Sequence, residues 1–328
     1  MTARDLVTVD IGGTHARFAL ATLAPDGTIA LGEAATLHTS DHASFETAWE
    51  AFRAMNGGSL PHALAMSVAG PVGGDVIRLT NNPWTIRPSA LPEKLGAARH
   101  TIVNDFAAVA HAVARADADQ FLDLAGPGGT ALPASGTISV IGPGTGLGVA
   151  HLWRDGNGGY HVQATEGGHI DFAPLDQIDD ALLARLRQRH TRVSVERVVS
   201  GPAIVDIYET LAAVEQRAII PRTDVGIWTD AASGADSLAA AAVDRFCLSL
   251  GSVAGDLALA QGAAGVVIAG GLGYRIRDTI LQSGFGERFR AKGRFASLMA
   301  GLPVKLITHP QPGLFGAAAA FAREHTHQ

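Results

Sequence analysis

The chain has 328 residues, a formal net charge of −6, 47% hydrophobic and 17% charged residues. That excludes a disordered or collagen-like chain, leaves room for one large or two ordinary cores, and argues against a nucleic-acid binder, which usually carries a basic face. Of 25 basic residues only Lys94, Lys292 and Lys305 are lysines, and Cys247 stands alone, so an intrachain disulfide and a thiolate zinc site are excluded.

Taken in order, the chain opens with a strand at 6–9, a Gly-rich turn at 10–14 and a second strand at 17–23. Asp26-Gly27 signals a hairpin into a third strand at 29–37. A helix fits 44–55, with Ser44 as N-cap and Phe45, Ala48, Trp49 and Phe52 on one face. Strands follow at 63–68, 76–79 and 100–104, with helices at 88–95 and 106–115. The loop at 126–136, dominated by Gly, Pro, Thr and Ser, reads as a boundary. Beyond it the opening pattern returns: strand 137–141, Gly-rich turn 142–146, and strands 147–153 and 160–164. Helices are expected at 175–189 and 195–213. A long helix over 236–261 carries apolar residues every three or four positions around a buried Cys247, and Gly262 ends it. Strands at 266–269 and 304–308 and a helix at 313–324 close the chain. No signal peptide is read at the N-terminus, and no uncharged apolar run approaches the ~20 residues that span a bilayer. A cytoplasmic protein without membrane contact is the expectation.

The chain therefore reads as two α/β units, each opening with a Gly-rich hairpin: Gly13-Thr14 in the first, Gly144-Thr145 in the second. Such turns let backbone N–H groups converge on an anion, and Thr14 and Thr145 add hydroxyl donors. Taken singly, each is equally a tight hairpin turn. There is no Gly-x4-Gly-Lys-Ser/Thr, and the spacing of Gly142, Gly144 and Gly146, leading into a strand, does not fit a dinucleotide fingerprint. Asp10 directly precedes the first turn. It either caps the turn locally or faces a phosphate across a cation, for which Mg²⁺ held through water is suited.

A second set of residues suits a polyhydroxylated ligand. Asn104-Asp105 ends a strand and starts a helix, where a carboxylate faces the usual ligand crevice or serves as an N-cap. Glu166 and His169 follow the third strand of the second unit. Glu196 lies beside Ser194 and Arg197, where a first-turn helix charge is the alternative. Carboxylates and amides of this kind bind neighbouring hydroxyls in pairs.

Asp10-Ile-Gly-Gly-Thr14, Asn104-Asp105-Phe106, Gly144-Thr-Gly-Leu-Gly148, Glu166-Gly-Gly-His169-Ile-Asp-Phe172, Glu196-Arg-Val-Val-Ser-Gly-Pro202, Ile268-Ala-Gly-Gly271 and Pro312-Gly-Leu-Phe-Gly316 stand in this order across nearly the whole chain. Together they resemble the bacterial ATP-dependent glucokinase family. The resemblance implies an actin/hexokinase-like, ribonuclease H-like duplicated α/β fold of two mixed-sheet domains with a cleft between them, residues 1–112 plus 313–328 and residues 113–312. It implies a homodimer that uses ATP and Mg²⁺ to phosphorylate D-glucose at its C6 hydroxyl, the entry to glycolysis. It makes Asp105 the catalytic base and gives the glucose hydroxyls to Asn104, Asp105, Glu166, His169 and Glu196. Asp10, Gly12, Gly13 and Thr14 become the first phosphate loop, with Asp10 at Mg²⁺ through water. Gly144, Thr145 and Gly146 become the second, and Gly270 and Gly271 lie at the nucleoside. His15 stands where the family usually has Asn. A kinase for another hexose and a non-catalytic sugar sensor are the alternatives. The related sugar kinases and repressors with a Cys-rich zinc motif do not fit a single cysteine.

Overall fold

A computed structural model describes residues 4–80 and 82–325. By its internal contacts the chain falls into two units. One runs to Ala116 and resumes at His309; the other is Asp117–Thr308.

The first unit begins with β1 (Arg4–Ile11), β2 (His15–Leu23), β3 (Ile29–Leu31), β4 (Ala35–His38) and α1 (Phe45–Met55). β5 (Ala63–Val68), the short pair β6 (Ile77–Arg78) and β7 (Thr85–Ile86), α2 (Leu91–Leu95), β8 (Arg99–Asn104) and α3 (Asp105–Arg115) follow. The sheet runs β3-β2-β1-β5-β8, with β4 also on β2. β1 and β2 form an antiparallel hairpin, and β5 and β8 join in parallel. Because side chains alternate along a strand, Val7, Val9 and Ile11 share one face and pack with Phe45, Trp49 and Phe52 of α1. Ser44 caps that helix by accepting from the Thr47 N–H, with the Thr47 hydroxyl returning to Ser44. The strand expected over 29–37 is two strands. Residues 32–34 oppose only Ala19 and Leu20, and the Gly32 N–H donates to the Leu20 carbonyl (2.8 Å), which makes a bulge.

The second unit contains β9 (Phe121–Ala125), β10 (Ser135–Pro143), β11 (Leu147–Asp155), β12 (Tyr160–Thr165), α4 (Gln177–Arg187), α5 (Ile204–Val214), α6 (Asp224–Ser233) and α7 (Ser237–Ala260). It continues with β13 (Ala263–Ile268), α8 (Gly270–Arg275), α9 (Arg277–Gln282), α10 (Phe285–Arg290), α11 (Ala296–Ala300) and β14 (Val304–Ile307). Its sheet runs β12-β11-β10-β13-β14-β9. The first five strands of that path repeat the first unit: two antiparallel hairpin pairings, then two parallel neighbours. β9 adds an antiparallel edge on β14, so the loop after it lies inside this unit and is not a boundary. The helix expected over 195–213 is broken. A 3-10 turn at Val195–Arg197 precedes α5, and Pro202, which has no N–H to donate, lies between them.

α7 is the axis of the second core: Leu238, Ala242, Phe246, Leu250, Val253 and Leu257 are all buried there. Among the described residues it is the one helix long and apolar enough to cross a membrane, and most of it is buried in this core. Burial pushes the Cys247 thiol up to about 12, which leaves it protonated and inert.

The final helix, α12 (Pro312–His325), returns to the first unit. Its Ala317, Ala318 and Phe321 cover Leu6, Ala21, Leu23 and Ala65 on the sheet face opposite α1. At Gly316 the helix meets the Ala108 carbonyl of α3 so closely that a Cβ would overlap it.

Candidate active site

In the first unit, β1 and β2 pair up to Ile11 and Ala16, and Gly12–Thr14 form the turn. The Gly12 N–H donates to the His15 carbonyl (2.9 Å). The three loop carbonyls are all held. Asn82 Nδ2 donates to that of Gly12 (3.2 Å), the Thr39 hydroxyl to that of Gly13 (3.0 Å), and the Thr39 N–H to that of Thr14 (3.0 Å). Thr14 is exposed, and its hydroxyl shares a hydrogen bond with His15 Nδ1 (2.9 Å). The His15 ring leans on His38, its cross-strand partner on β4, at 4.7 Å between centroids.

Asp10 sits just behind this turn with its side chain 22% exposed. The Ser67 hydroxyl donates to its Oδ1 (2.9 Å) and Arg17 lies 3.4 Å from its Oδ2. Burial raises the Asp10 pKa above the usual carboxylate range; the Ser67 bond and the Arg17 charge offset part of that rise. A Cβ at Gly313 would stand 2.6 Å from the Asp10 carboxyl carbon, so only glycine lets the first turn of α12 approach, and that helix end favours an anion. Among the described residues no group of three or more His, Cys, Asp or Glu is arranged to cage a metal. One carboxylate beside a Gly-rich turn fits Mg²⁺ that keeps its water shell and takes its remaining ligands from phosphate.

β8 ends at Asn104, in parallel register with Val68 and so with Ile11, which brings Asn104, Ser67 and Asp10 to the carboxyl ends of neighbouring strands. Asn104, not Asp105, caps α3: its Oδ1 accepts from the Phe106 and Ala107 N–H groups, and its Nδ2 donates to the Gly70 carbonyl (3.1 Å). An amide oxygen with two acceptor sites is thereby filled, and one amide proton remains for a ligand. Asp105, at the first helical position, is half-buried, with Oδ1 also accepting from the Phe106 N–H (2.9 Å).

The second unit repeats the hairpin geometry. Gly142 pairs with Gly148 and Pro143 with Leu147, and the Gly144 N–H donates to the Gly146 carbonyl (2.8 Å). The Gly144 carbonyl accepts from the Gly201 N–H (2.7 Å). Gly144 and Thr145 are exposed. Glu196 Oε2 accepts from the Leu147 N–H (2.9 Å) and occupies the space a side chain at Gly146 would need. Glu196 thus holds the second Gly-rich loop as well as standing beside it. The Ala269 N–H donates to the Ile141 carbonyl (2.8 Å), and Gly270 passes close to the Pro143 carbonyl. Loop 144–146, Glu196 and Gly270-Gly271 therefore gather at the carboxyl ends of β10 and β13. Glu166 precedes a 3-10 turn at Gly167–His169. Glu166 Oε2 and His169 Nε2 are 3.7 Å apart, with side chains 84% and 56% exposed.

The structure groups Asp10, Gly12, Gly13, Thr14, Asn104 and Asp105 on one unit, and Gly144, Thr145, Gly146, Glu166, His169, Glu196, Gly270 and Gly271 on the other. Sequence reasoning did not find Ser67, Arg17, Thr39 or Asn82. Ser67 carried a signal, a polar residue within the apolar run of β5; the other three act on their partners through the fold.

A family model described as glucokinase matches residues 7–324. A glucokinase of Zymomonas mobilis is 55% identical over 322 residues, covering 98% of this chain and 99% of that one. The crystal structure of a glucokinase from an Antarctic psychrotroph superposes with a TM-score of 0.86 at 34% identity, over 97% and 99% of the two chains. A ROK family glucokinase from Streptomyces griseus, in complex with glucose and AMPPNP, shares the fold with a TM-score of 0.62 at 19% identity, over 98% and 99%.

Proposed function

This chain belongs to the glucokinase family, an ATP-dependent hexose kinase that phosphorylates glucose, and on that premise we propose how its own residues carry the transfer to the C6 hydroxyl. The loops at Gly12–Thr14 and Gly144–Gly146 receive the phosphates of ATP, each offering the backbone N–H groups of a glycine-rich turn. Gly270 and Gly271 leave room for the nucleoside. Asp10 holds Mg²⁺ through water. The metal, when bound, neutralises charge on the phosphates. No lysine is required, consistent with three in the whole chain.

Glu166, His169, Glu196 and Asn104 bind glucose hydroxyls. Asp105 accepts the C6 hydroxyl proton late in a loose transfer, where orientation and charge balance matter more than basicity. The observation that carries this reading is the register of β1, β5 and β8, which sets Asp10, Ser67 and Asn104 at the carboxyl ends of neighbouring strands, with the half-buried Asp105 next in the chain at the head of α3. We propose further that the enzyme acts in the cytoplasm as a homodimer at the entry to glycolysis, as the family resemblance implies. A coupled assay of ADP release with and without glucose, beside mannose, fructose and N-acetylglucosamine, tests the reading. Glucose-dependent ADP release supports it, and equal rates with and without sugar overturn it.

A further inference from the structure

Two buried polar side chains far apart in sequence converge on one tripeptide. Thr39 is 6% exposed and Asn82 8%, and both spend hydrogen-bond donors on carbonyls of Gly12–Thr14. A trans peptide is planar, so its C=O and the following N–H point in opposite directions. Pinning the Gly12 carbonyl with Asn82 therefore turns the Gly13 N–H to the far side. Pinning the Gly13 carbonyl with the Thr39 hydroxyl does the same for the Thr14 N–H. The Thr39 N–H fixes the Thr14 carbonyl as well, so every peptide of the turn is held from behind. The braces are themselves anchored: the Trp84 N–H donates to Asn82 Oδ1 (2.9 Å) and Trp84 Nε1 to the His42 carbonyl (3.0 Å).

We infer that Thr39 and Asn82 are positioning residues for phosphoryl transfer, which preset the Gly12–Thr14 N–H groups for the ATP phosphates before nucleotide arrives. The inference rests on the reading of this turn as a phosphate loop. A glycine turn without braces would have to lose its freedom on binding, and that cost would appear in nucleotide affinity. Preorganised donors avoid it.

Thr39→Val removes the hydroxyl and keeps the shape; Thr39→Ser restores the hydroxyl. The expected result for Thr39→Val is an ATP KM raised about tenfold, the size of one lost hydrogen bond, with the glucose KM unchanged. ADP should bind more weakly in the same proportion, adenosine as before, and Thr39→Ser should recover most of the loss. Asn82→Ala should show the same selectivity for phosphate-bearing ligands, whatever it loses in melting temperature. Equal losses for ADP and adenosine, or a glucose KM that rises together with that for ATP, would mean that Thr39 only supports the fold and would overturn the inference. Thr14→Ala and Asp10→Asn separate this failure from failure of the underlying reading. If they raise the ATP KM and Thr39→Val does not, the brace is wrong and the phosphate loop stands. If none of them changes it, the phosphate loop itself is wrong.

Discussion

The proposed mechanism gives the neighbours Asp105 and Asn104 different work, and the difference is measurable. Asp105→Asn keeps the side-chain shape and leaves the Asn104 cap in place. Loss of a general base should lower kcat by roughly 10²–10⁴-fold with a modest effect on glucose KM; steady-state kinetics on the purified variant decide it, and a near-normal kcat would remove Asp105 from the chemistry. Glu166 is nearly bare without sugar, so any cost of removing it must appear on binding. Glu166→Ala should raise glucose KM by about one to two orders of magnitude, from a polar group left unpaired at ~1–3 kcal/mol, while ATP KM moves little. A lower melting temperature with unchanged sugar selectivity would instead make Glu166 and His169 a brace of their turn. Asp105, Glu166 and His169 could be proposed from the sequence because residues adjacent or three apart at strand ends can be read locally. Thr39 and Asn82 were not, because a Thr and an Asn acquire meaning only when the sheet brings them behind residues 12–14.

At the scale of elements, α4, α7 and α10 are joined by charge. Asp176 caps α4 and pairs with Arg245 of α7 and Arg288 of α10, which also reach the buried Asp179. Burial pushes the Asp176 pKa up, but its hydrogen bond to Arg245, a backbone N–H and the two guanidinium charges outweigh burial and hold it at about 2. A carboxyl depressed on folding stabilises the protein above its unfolded value of 3.8 and loses that contribution as pH falls toward 2. Asp179 runs the other way: burial raises its pKa, so protonation favours the folded state as pH drops through that higher range. Asp176→Asn retains a competent cap and should flatten the fall in melting temperature between about pH 4 and pH 2, measured by thermal denaturation, while wild type falls through that window. An unchanged slope would show the pairs to be too solvent-screened to matter. The long elements here were readable from periodicity, α7 above all. The short helices α8–α11 and the two-residue strand β7 were not, since one turn of helix or two residues of strand carry no period, whereas β6 lies within the strand expected over 76–79. The break before α5 is written as Gly201-Pro202, but the apolar residues that continue on both sides of it hide it from the periodicity.

For the whole molecule, the repeated strand order explains why the sequence echo Gly13-Thr14 and Gly144-Thr145 was informative. The two glycine turns occupy the same place in two copies of one topology, between the first and second strands. The edge strand β9 broke the symmetry and hid the true junction, which lies before it at Ala116. Ligand linkage gives a global check on the site. Glucose at a hundred times its dissociation constant should stabilise the protein by about 2.7 kcal/mol, seen as a raised Tm. Asp105→Asn should keep that rise and Glu166→Ala should lose about half of it or more at the same glucose concentration. No rise in the parent protein would mean that glucose does not bind the folded form.

The return of α12 to the first unit has a consequence for how the protein is made. Synthesis proceeds from the N-terminus, and domains generally fold as units as they emerge. The second unit is one continuous stretch and is available to fold once Thr308 is out. The first is delivered in two instalments, and its sheet face of Leu6, Ala21, Leu23 and Ala65 waits uncovered until Ala317, Ala318 and Phe321 arrive, after the whole of the second unit. The strands made before the second unit are thus sealed only after it. A stop codon near residue 311 would release a chain whose second unit is intact and whose first is left with a bare apolar face, a substrate for chaperones and proteases before it could ever meet glucose.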